Sequence, residues 1–392
     1  MPSEASLEEL EKARAASEKE KEEFFNDGSR IVTAENPFDG RDSILLSFAG
    51  DIMAHDSVWK NGGYSAIYDD VRDMLRHSDL AFANLETPVC NSKPYATYPS
   101  FNVHSDFADA AVEAGFNVFS TANNHSNDQL LTGIQTTDSY FKTLAELSAA
   151  TERPVYASGL KDGEKADFSY AVIDCKGWKI LFLAVTELLN RNDYRSYINY
   201  IRTDEKSRTA FEEYVRKLRQ DNPCDLFVLS FHTAEPEYIL TITKKQTDFY
   251  HALLKDGVDV IWANHPHVAR DWEVIAGENS KPQKIIFYSQ GNTISAQRTN
   301  PSFHFPTLIR DYTGDGFITE VRFLKDEDGI RIVNVNPVLI TTYITEERHY
   351  VIKRLTEDFI KELETAKRAE WPLYLTSRKK IMKNIKGKIT WQ

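Results

Sequence analysis

Six short runs of largely apolar or β-branched residues in this chain are each followed at once by polar residues with potential metal-ligating groups. Runs that are apolar on both faces are typical of strands buried within a parallel sheet. In an open α/β sheet, the loops that leave the carboxyl ends of such strands converge on one crevice. The six runs are residues 44–48, 80–83, 118–120, 226–230, 258–262 and 285–288.

Helical patterns lie between these runs, and residues 180–185 form a seventh apolar run. Strands that alternate with helices favour a wound α/β architecture. Two later strands, near 316–323 and 330–335, have an antiparallel pattern and are expected to complete a second sheet. The predicted helices are 66–76, 107–114, 209–218 and 245–255.

The polar residues that follow the six runs are chemically compatible with one another as ligands. Carboxylates, an amide oxygen and neutral imidazoles suit one or two divalent transition-metal ions of the group Mn, Fe, Co, Ni and Zn. Two such ions bridged by a carboxylate would lower the pKa of a bound water and stabilise an in-line phosphoryl displacement. The predicted ligands are Asp51, Glu86, Asn124, His232, His265 and His267.

Each candidate ligand also has a structural interpretation. Asp51 follows Gly50 and, considered alone, fits a turn residue or a helix cap. His265 and His267 flank a proline just after a predicted buried strand, so two imidazoles could share one site from a single rigid turn. The conjunction of ligand types at six strand ends favours one metal site.

Composition excludes several classes of protein. The net charge of -12 argues against a nucleic-acid partner, because an acidic surface repels a duplex. Three widely spaced cysteines suggest neither a disulfide framework nor a thiolate metal cluster. No run approaches the roughly 20 apolar residues of a membrane span, and the N-terminus lacks the apolar core of a secretory signal. We therefore expect a soluble chain, either cytoplasmic or the mature part of an exported or envelope-associated protein.

The chain is expected to have three parts. Residues 1–40 have the pattern of a charged helix and a linker, and residues 41–345 would form the main domain. Residues 346–392 are predicted to be a helical, basic extension. Its tail, 377–392, holds six basic residues and no acid, which fits either a solvated helix or a contact with an anionic membrane or polymer.

In their order along the chain, the polar segments resemble the CapA-type branch, the poly-γ-glutamate capsule biosynthesis family, of the calcineurin-like metallophosphatase superfamily. The resemblance covers about residues 43–295. It implies a four-layer α/β/β/α sandwich with the metal site at one edge. The matching segments are 50–53, 84–88, 122–128, 232–238, 265–268 and 288–292.

The resemblance also implies roles for single residues. Asp51, Glu86 and His267 would hold one metal, and Glu86 would bridge to a second metal held by Asn124, His232 and His265. His125 would be the catalytic imidazole that stabilises a transferred phosphoryl group or protonates a leaving group. Further candidates for supporting or substrate-binding positions are His55, His104, Glu235, Glu237, Glu273 and Asn292.

One departure bears on function. Ordinary phosphatases of the superfamily have an Asp-x-His pair on the first strand, but Met53 occupies the third position here, as it does in the CapA branch. The first metal would therefore lack one imidazole.

Three functions follow as hypotheses. The first is a metal-dependent hydrolase or transferase acting on a phosphoester or amide of a capsule or cell-envelope polymer such as poly-γ-glutamate, with an anionic polymer or phosphoester as substrate. The second is a non-catalytic, metal-containing component of capsule polymer assembly or export. The third is a plain carbohydrate- or peptide-binding module without stoichiometric metal. The oligomeric state is left open.

Overall fold

Within the described residues, two β-sheets form the centre of the molecule, one of eight strands and one of seven. A computed structural model gives this fold and describes residues 42–277, 282–327, 329–368 and 370–391. The strands, numbered in chain order, are β1 (Ser43–Ile52), β2 (Leu80–Leu85), β3 (Val118–Ser120), β4 (Tyr156–Ser158), β5 (Tyr170–Cys175), β6 (Trp178–Thr186), β7 (Leu226–His232), β8 (Val260–Asn264), β9 (Trp272–Ala276), β10 (Pro282–Phe287), β11 (Asn292–Ile294), β12 (Asp315–Asp326), β13 (Gly329–Ile344), β14 (Tyr350–Arg354) and β15 (Gly387–Trp391).

Helices lie between and after these strands, and three of them begin at a side-chain cap. The side chains of Asp204, Thr243 and Thr356 each accept a hydrogen bond from the backbone N–H three residues on, which satisfies a free donor of the first turn. The α-helices are α1 (Asp56–Trp59), α2 (Arg72–His77), α3 (Ser105–Ala114), α4 (Leu130–Ser148), α5 (Glu205–Asp221), α6 (Lys244–Lys255), α7 (Ile309–Tyr312), α8 (Glu357–Thr365) and α9 (Trp371–Met382), and short 3₁₀ helices span Tyr64–Tyr68 and Arg195–Tyr197.

The order of strands places several carboxyl ends side by side. The first sheet has the order β14-β13-β12-β1-β2-β3-β4, with β11 also paired to β1. The second has the order β15-β9-β10-β8-β7-β6-β5. Neighbours among β1 to β4 are parallel, and so are the pairs β6 with β7, β7 with β8 and β8 with β10. Loops that leave these ends therefore share one edge of each sheet.

Aromatic and branched side chains fill the space between the two sheets. Phe48 and Phe82 from the first sheet pack on Trp262 of the second, with ring centroids 6.1 and 6.0 Å from the indole. Two more apolar clusters lie on the outer faces, one under α3, α8 and α9 and the other under α5 and α6. The layers are thus helices, sheet, sheet and helices, which confirms the predicted α/β/β/α sandwich.

Two predicted elements differ from the structure. The predicted helix 66–76 is divided into the 3₁₀ helix Tyr64–Tyr68 and α2. Between them, the Asp70 carboxylate accepts a hydrogen bond from the backbone of Arg354 at 2.6 Å, which ties this turn to β14. The antiparallel pair β12 and β13 exists, but it extends the first sheet beside β1 and does not complete the second. An alternating pattern specifies which face is buried and not which edge a strand joins.

The C-terminal residues contribute to both sheets. Strand β14 pairs with β13, and β15 lies parallel to β9. The tail predicted as a solvated helix is helical only as far as Met382, because residues 387–391 cover the open edge of β9. The predicted N-terminal helix and linker, 1–40, lie outside the described residues.

Candidate metal centre

Five of the predicted ligands meet where the two sheets present the carboxyl ends of their parallel strands. Asp51 lies near the end of β1, Glu86 follows β2, and His232 ends β7. His265 and His267 follow β8. All five side chains are buried, with at most 3% of any residue exposed.

Asp51 and His267 form one wall of the site. His267 Nδ1 lies 3.1 Å from Asp51 Oδ2 and 3.0 Å from Asn292 Oδ1. Asn292 is placed there because β11 pairs with β1 and brings it opposite Asp51. The predicted supporting residue Asn292 is thus in direct contact with a predicted ligand.

Asn84 is a central residue that sequence reasoning missed. Its Nδ2 donates to Asp51 Oδ1 at 2.8 Å and lies 3.5 Å from Glu86 Oε2 and 3.4 Å from His232 Nδ1. The signal was present, because residues two apart on a strand share a face and Asn84 is two positions before Glu86. These contacts fix the positions of the two carboxylates and the imidazole relative to one another.

Asn124 completes the opposite wall. Its Oδ1 lies 2.9 Å from His232 Nε2, and its Nδ2 donates to Asn190 Oδ1 at 3.3 Å. Asn190, from the loop after β6, was not singled out in the sequence. An amide oxygen beside an imidazole nitrogen fits the predicted ligand pair.

Two buried ligand atoms have no hydrogen-bond partner among the described residues. They are Glu86 Oε1 and His265 Nδ1. Glu86 Oε1 is 3.9 Å from His232 Nε2 and 3.7 Å from His267 Nε2, and the His232 and His265 rings are 5.0 Å apart. Glu86 belongs to two groups of potential ligand atoms that lie within 4.8 Å of one another, one with His265 and His267 and the other with Asp51 and His232.

The turn after β8 has an unusual backbone that points two imidazoles at the site. His265 and His267 have φ angles of 100° and 58°, a region that residues other than glycine rarely occupy. The His265 N–H donates to Asp51 Oδ2 at 3.4 Å, and the Pro266 carbonyl accepts from the Tyr238 N–H at 2.9 Å. Such conformations persist where surrounding contacts enforce them, which is common at functional sites.

The electrostatics of the centre favour an added cation. Burial and then the neighbouring Asp51 carboxylate raise the pKa of Glu86 well above its ordinary value. Burial and then the neighbouring imidazoles lower the pKa values of His232 and His265. Neutral imidazoles next to crowded carboxylates have the donor chemistry of a borderline divalent ion. The residues therefore fit the predicted metal.

His125 stands beside the ligands and is held by a carboxylate. Its Nδ1 lies 2.7 Å from Asp128 Oδ2, which also accepts the Phe101 N–H at 2.7 Å. The Phe101 ring packs against the imidazole at 4.6 Å, and Asn190 Nδ2 lies 3.3 Å from His125 Nδ1. These contacts fix the orientation of a residue that is 3% exposed.

A cavity of about 310 Å³ opens over the centre. Met53, His125 and His267 are among its walls, together with the predicted residues His55 and Glu237. Burial and then His267 lower the pKa of His55 to about 3, so this imidazole is neutral at physiological pH. The full lining is Met53, His55, Tyr98, His125, Glu237, Tyr238, His267, Gln297 and Arg310.

Three predicted supporting residues contact other parts of the molecule. His104 Nε2 lies 2.8 Å from the Lys93 carbonyl oxygen. Glu235 pairs with Arg270 at 3.4 Å. Glu273 accepts from the Tyr288 hydroxyl at 2.8 Å and lies 3.2 Å from His251. None of the three lines the cavity.

Residues 45–297 match the family described as Bacterial capsule synthesis protein PGA_cap. The chain belongs to this capsule synthesis family. Membership confirms the predicted CapA-type resemblance, and the two sheets with helices outside them have the α/β/β/α layers that the resemblance implied. Arg310 lies outside the matched range.

Two curated relatives carry capsule names. The chain is 26% identical over 350 residues to the capsule biosynthesis protein CapA of Bacillus anthracis, covering 84% of this chain and 75% of that protein. It is 25% identical over 262 residues to the PGA biosynthesis protein CapA of Bacillus subtilis strain 168, covering 65% of this chain and 64% of that protein. The match thus spans less than two thirds of the second relative's length.

Among solved structures, the calcineurin-like phosphoesterase YfkN from Bacillus subtilis aligns with a TM-score of 0.43 at 9% identity. The alignment covers 77% of this capsule-family chain and 91% of that chain. Within the described residues, no helix combines the length and apolar character needed to cross a membrane.

Proposed function

We propose that this chain is a metal-dependent hydrolase or transferase acting on a phosphoester or amide of a capsule or cell-envelope polymer such as poly-γ-glutamate. The observation that carries the proposal is the pair of buried, unpartnered ligand atoms, Glu86 Oε1 and His265 Nδ1. A buried polar atom without a partner costs free energy, and a divalent cation supplies the missing partner for both.

The residues that would hold one or two ions are the six predicted ligands. Glu86 is the member common to both groups of close ligand atoms, which supports its role as a bridge. The mixed oxygen and nitrogen donors favour Mn, Fe, Co, Ni or Zn over Mg or Ca. When bound, the metal supplies Lewis acidity and a water of lowered pKa. The six are Asp51, Glu86, Asn124, His232, His265 and His267.

The protein's own groups would orient the reacting bond and move a proton. The Asp128 carboxylate beside Nδ1 of His125 fixes one tautomer and supports a positive charge on the ring. Nε2 of His125 would then exchange a proton with the leaving group, while the buried walls restrict water. This division of labour suits displacement at phosphorus and at an amide carbonyl.

The capsule names of the two relatives support a polymer substrate. One relative is named for capsule biosynthesis and the other for PGA biosynthesis. We carry the substrate class over to this chain as a proposal, with an anionic polymer or its phosphoester as the group that enters the cavity.

One observation favours the second candidate, a non-catalytic component of capsule polymer assembly or export. Met53 lines the cavity at the position where ordinary phosphatases of the superfamily have a histidine. The first metal would therefore have one imidazole ligand fewer and would be held more weakly. The centre would then serve recognition or stability.

The test is metal analysis of protein purified without chelator, followed by an activity screen with added manganese. The screen covers phosphoesters and γ-glutamyl polymers. Asp51→Ala and His265→Ala are expected to lose both metal and turnover, whereas His77→Ala, on the exposed end of α2, is the matched control. Full turnover in both site variants would exclude the enzyme. Bound metal without turnover would support the second candidate, and the absence of stoichiometric metal would leave the binding module.

A further inference from the structure

Among the described residues that line the cavity, Arg310 is the one arginine or lysine. Its guanidinium lies over the Tyr238 ring at 4.1 Å from the centroid. The Tyr238 ring is in turn 6.1 Å from the His267 ring, so a single aromatic side chain separates the cation from a predicted metal ligand. The guanidinium therefore lies in the cavity wall close to the metal centre.

The guanidinium contacts Tyr238 and is not neutralised by a carboxylate of the described residues. Stacking on an aromatic face uses the plane of the group and leaves the N–H donors at its rim. Within the described ranges, no carboxylate forms an ion pair with Arg310, and Glu237, the acidic residue of the lining, is not paired with it. An exposed arginine whose rim donors are not paired with a carboxylate has the geometry to bind an anion in a bidentate manner.

Buried contacts hold the segment that presents this arginine. The neighbouring Asp311 is 1% exposed and accepts hydrogen bonds from the Tyr374 hydroxyl at 2.5 Å and the Ser302 N–H at 2.9 Å. The Arg378 guanidinium lies 4.2 Å from the centroid of the Tyr312 ring on the other side. Helix α9 thus anchors the short helix α7, so Arg310 starts from a fixed backbone.

We propose that Arg310 and Tyr238 form an anion subsite that binds a carboxylate or phosphate group of the substrate next to the metal centre. This subsite deepens the proposed function and rests on it. A planar, bidentate donor prefers the paired, negatively charged oxygens of a carboxylate or a phosphate to a neutral amide. The cavity of about 310 Å³ has room for one monomer-sized group, since ligand pockets begin at about 300 Å³.

The experiment is isothermal titration calorimetry on the full, metal-loaded chain with three probes. The probes are a short γ-glutamate oligomer, the same oligomer with its side carboxylates converted to carboxamides, and inorganic phosphate. Arg310→Gln removes the positive charge, and Arg310→Lys keeps the charge but lacks the planar, bidentate donor geometry of a guanidinium. Lys206→Gln is the control, because it removes an exposed charge from α5 on the outer face of the second sheet. Thermal melting of each variant checks that it folds.

Arg310→Gln is expected to weaken binding of the acidic oligomer, of phosphate or of both by about tenfold or more, the loss of a charge-assisted bidentate contact. Arg310→Lys should bind these anions with an affinity between those of wild type and Arg310→Gln. The carboxamide oligomer should bind Arg310→Gln and wild type alike, and Lys206→Gln should bind every probe like wild type. Weakening confined to the oligomer identifies a carboxylate, and weakening confined to phosphate identifies a phosphoryl group. Unchanged binding of both anions, or no binding by the wild type, overturns the subsite.

The binding readout separates this inference from the proposed function. Turnover and metal content are measured on the same samples. If the protein shows no turnover but Arg310→Gln still weakens anion binding, the enzyme proposal fails and the subsite stands. If turnover is present while both anions bind Arg310→Gln like wild type, the subsite fails alone.

Discussion

Glu86 Oε1 lies 3.7 Å from His267 Nε2, a separation longer than a hydrogen bond. The same oxygen is buried and has no hydrogen-bond partner among the described residues. Burial, followed by the charge of Asp51, raises the pKa of this carboxyl group well above its ordinary value. Ionisation of this carboxyl group is therefore unfavourable in the metal-free protein, and a neighbouring cation would offset that cost.

Glu86→Gln should consequently have opposite effects in the two states. In chelator-treated protein at pH 8, we expect the free energy of unfolding to rise by about 1 to 3 kcal/mol, because the variant removes a carboxyl group whose ionisation is disfavoured by burial. In protein saturated with manganese, the melting temperature and the metal content should fall. Urea unfolding with and without chelator, together with metal analysis, measures both.

The pH dependence gives an internal control for Glu86→Gln. A raised folded-state pKa means that the penalty is absent below the unfolded value of 4.5 and grows as the pH rises toward the folded value. The stability of metal-free wild type should therefore fall over this range more than that of the variant. A variant destabilised equally with and without metal would contradict the assignment.

Asp128→Asn tests the orientation of His125. The amide can no longer support a positive imidazole through the 2.7 Å contact at Nδ1, so we expect kcat to fall by about 100-fold or more, with metal content unchanged. Asp138→Asn on α4 is the matched control, since Asp138 pairs with Lys142 on the protein surface. Steady-state kinetics with the best substrate found in the screen measures kcat. A wild-type kcat in Asp128→Asn would exclude a role for Asp128 in orienting His125.

Much of the site could be predicted because its residues follow buried strands in a parallel sheet. Asp51, Glu86 and His232 are located by strand ends alone, and the turn around Pro266 locates His265 and His267. The shared edge of the sheets then brings them together.

What could not be predicted depends on long-range packing. Asn190 reaches His125 across a loop, a contact between residues 65 apart with no local pattern. Arg310 lines the cavity because α9 anchors the segment that carries it. That contact joins Tyr374 to Asp311, which are far apart in the sequence. The placement of β12 beside β1 was missed for the same reason, because alternation does not choose a partner strand.

Gly50→Ala should disrupt the metal centre although it replaces none of the predicted ligands. An added Cβ would lie 1.7 Å from the Gly291 carbonyl oxygen, which accepts the Asp51 N–H. The backbones of β1 and of the residue before β11 must separate, and we expect a loss of about 3 kcal/mol or more in unfolding free energy.

Gly163→Ala provides the control for that substitution, because an added Cβ there meets no atom within 4 Å. Circular dichroism melting and metal analysis compare the two variants. Equal melting temperatures would mean that the close approach of the two backbones is not needed.

Asp315 and two arginines form a buried set of ion pairs that connects helix α9 to the sheet. Replacing Asp315 therefore tests how much this connection contributes to stability. Asp315 Oδ1 accepts from Arg298 at 2.8 Å, Oδ2 accepts from Arg378 at 2.6 Å, and all three side chains are fully buried. Asp315→Asn leaves two buried guanidinium groups without their counterion, so we expect a loss of about 3 to 5 kcal/mol in unfolding free energy at pH 7. Burial alone would raise the pKa of Asp315, but Arg298 and then Arg378 outweigh it and hold the pKa below its ordinary value.

The sign of that pKa shift fixes the pH range of a second measurement. A depressed carboxyl pKa contributes stability that is fully present above the unfolded value of 3.8 and is lost as the pH falls through the folded value. The difference in unfolding free energy between wild type and Asp315→Asn should therefore be constant from pH 7 to pH 5 and should shrink below pH 3.8. Urea titrations across this range measure it. A difference that stays constant down to the lowest pH at which both proteins fold would show that the loss comes from packing, because the carboxylate charge would then contribute nothing.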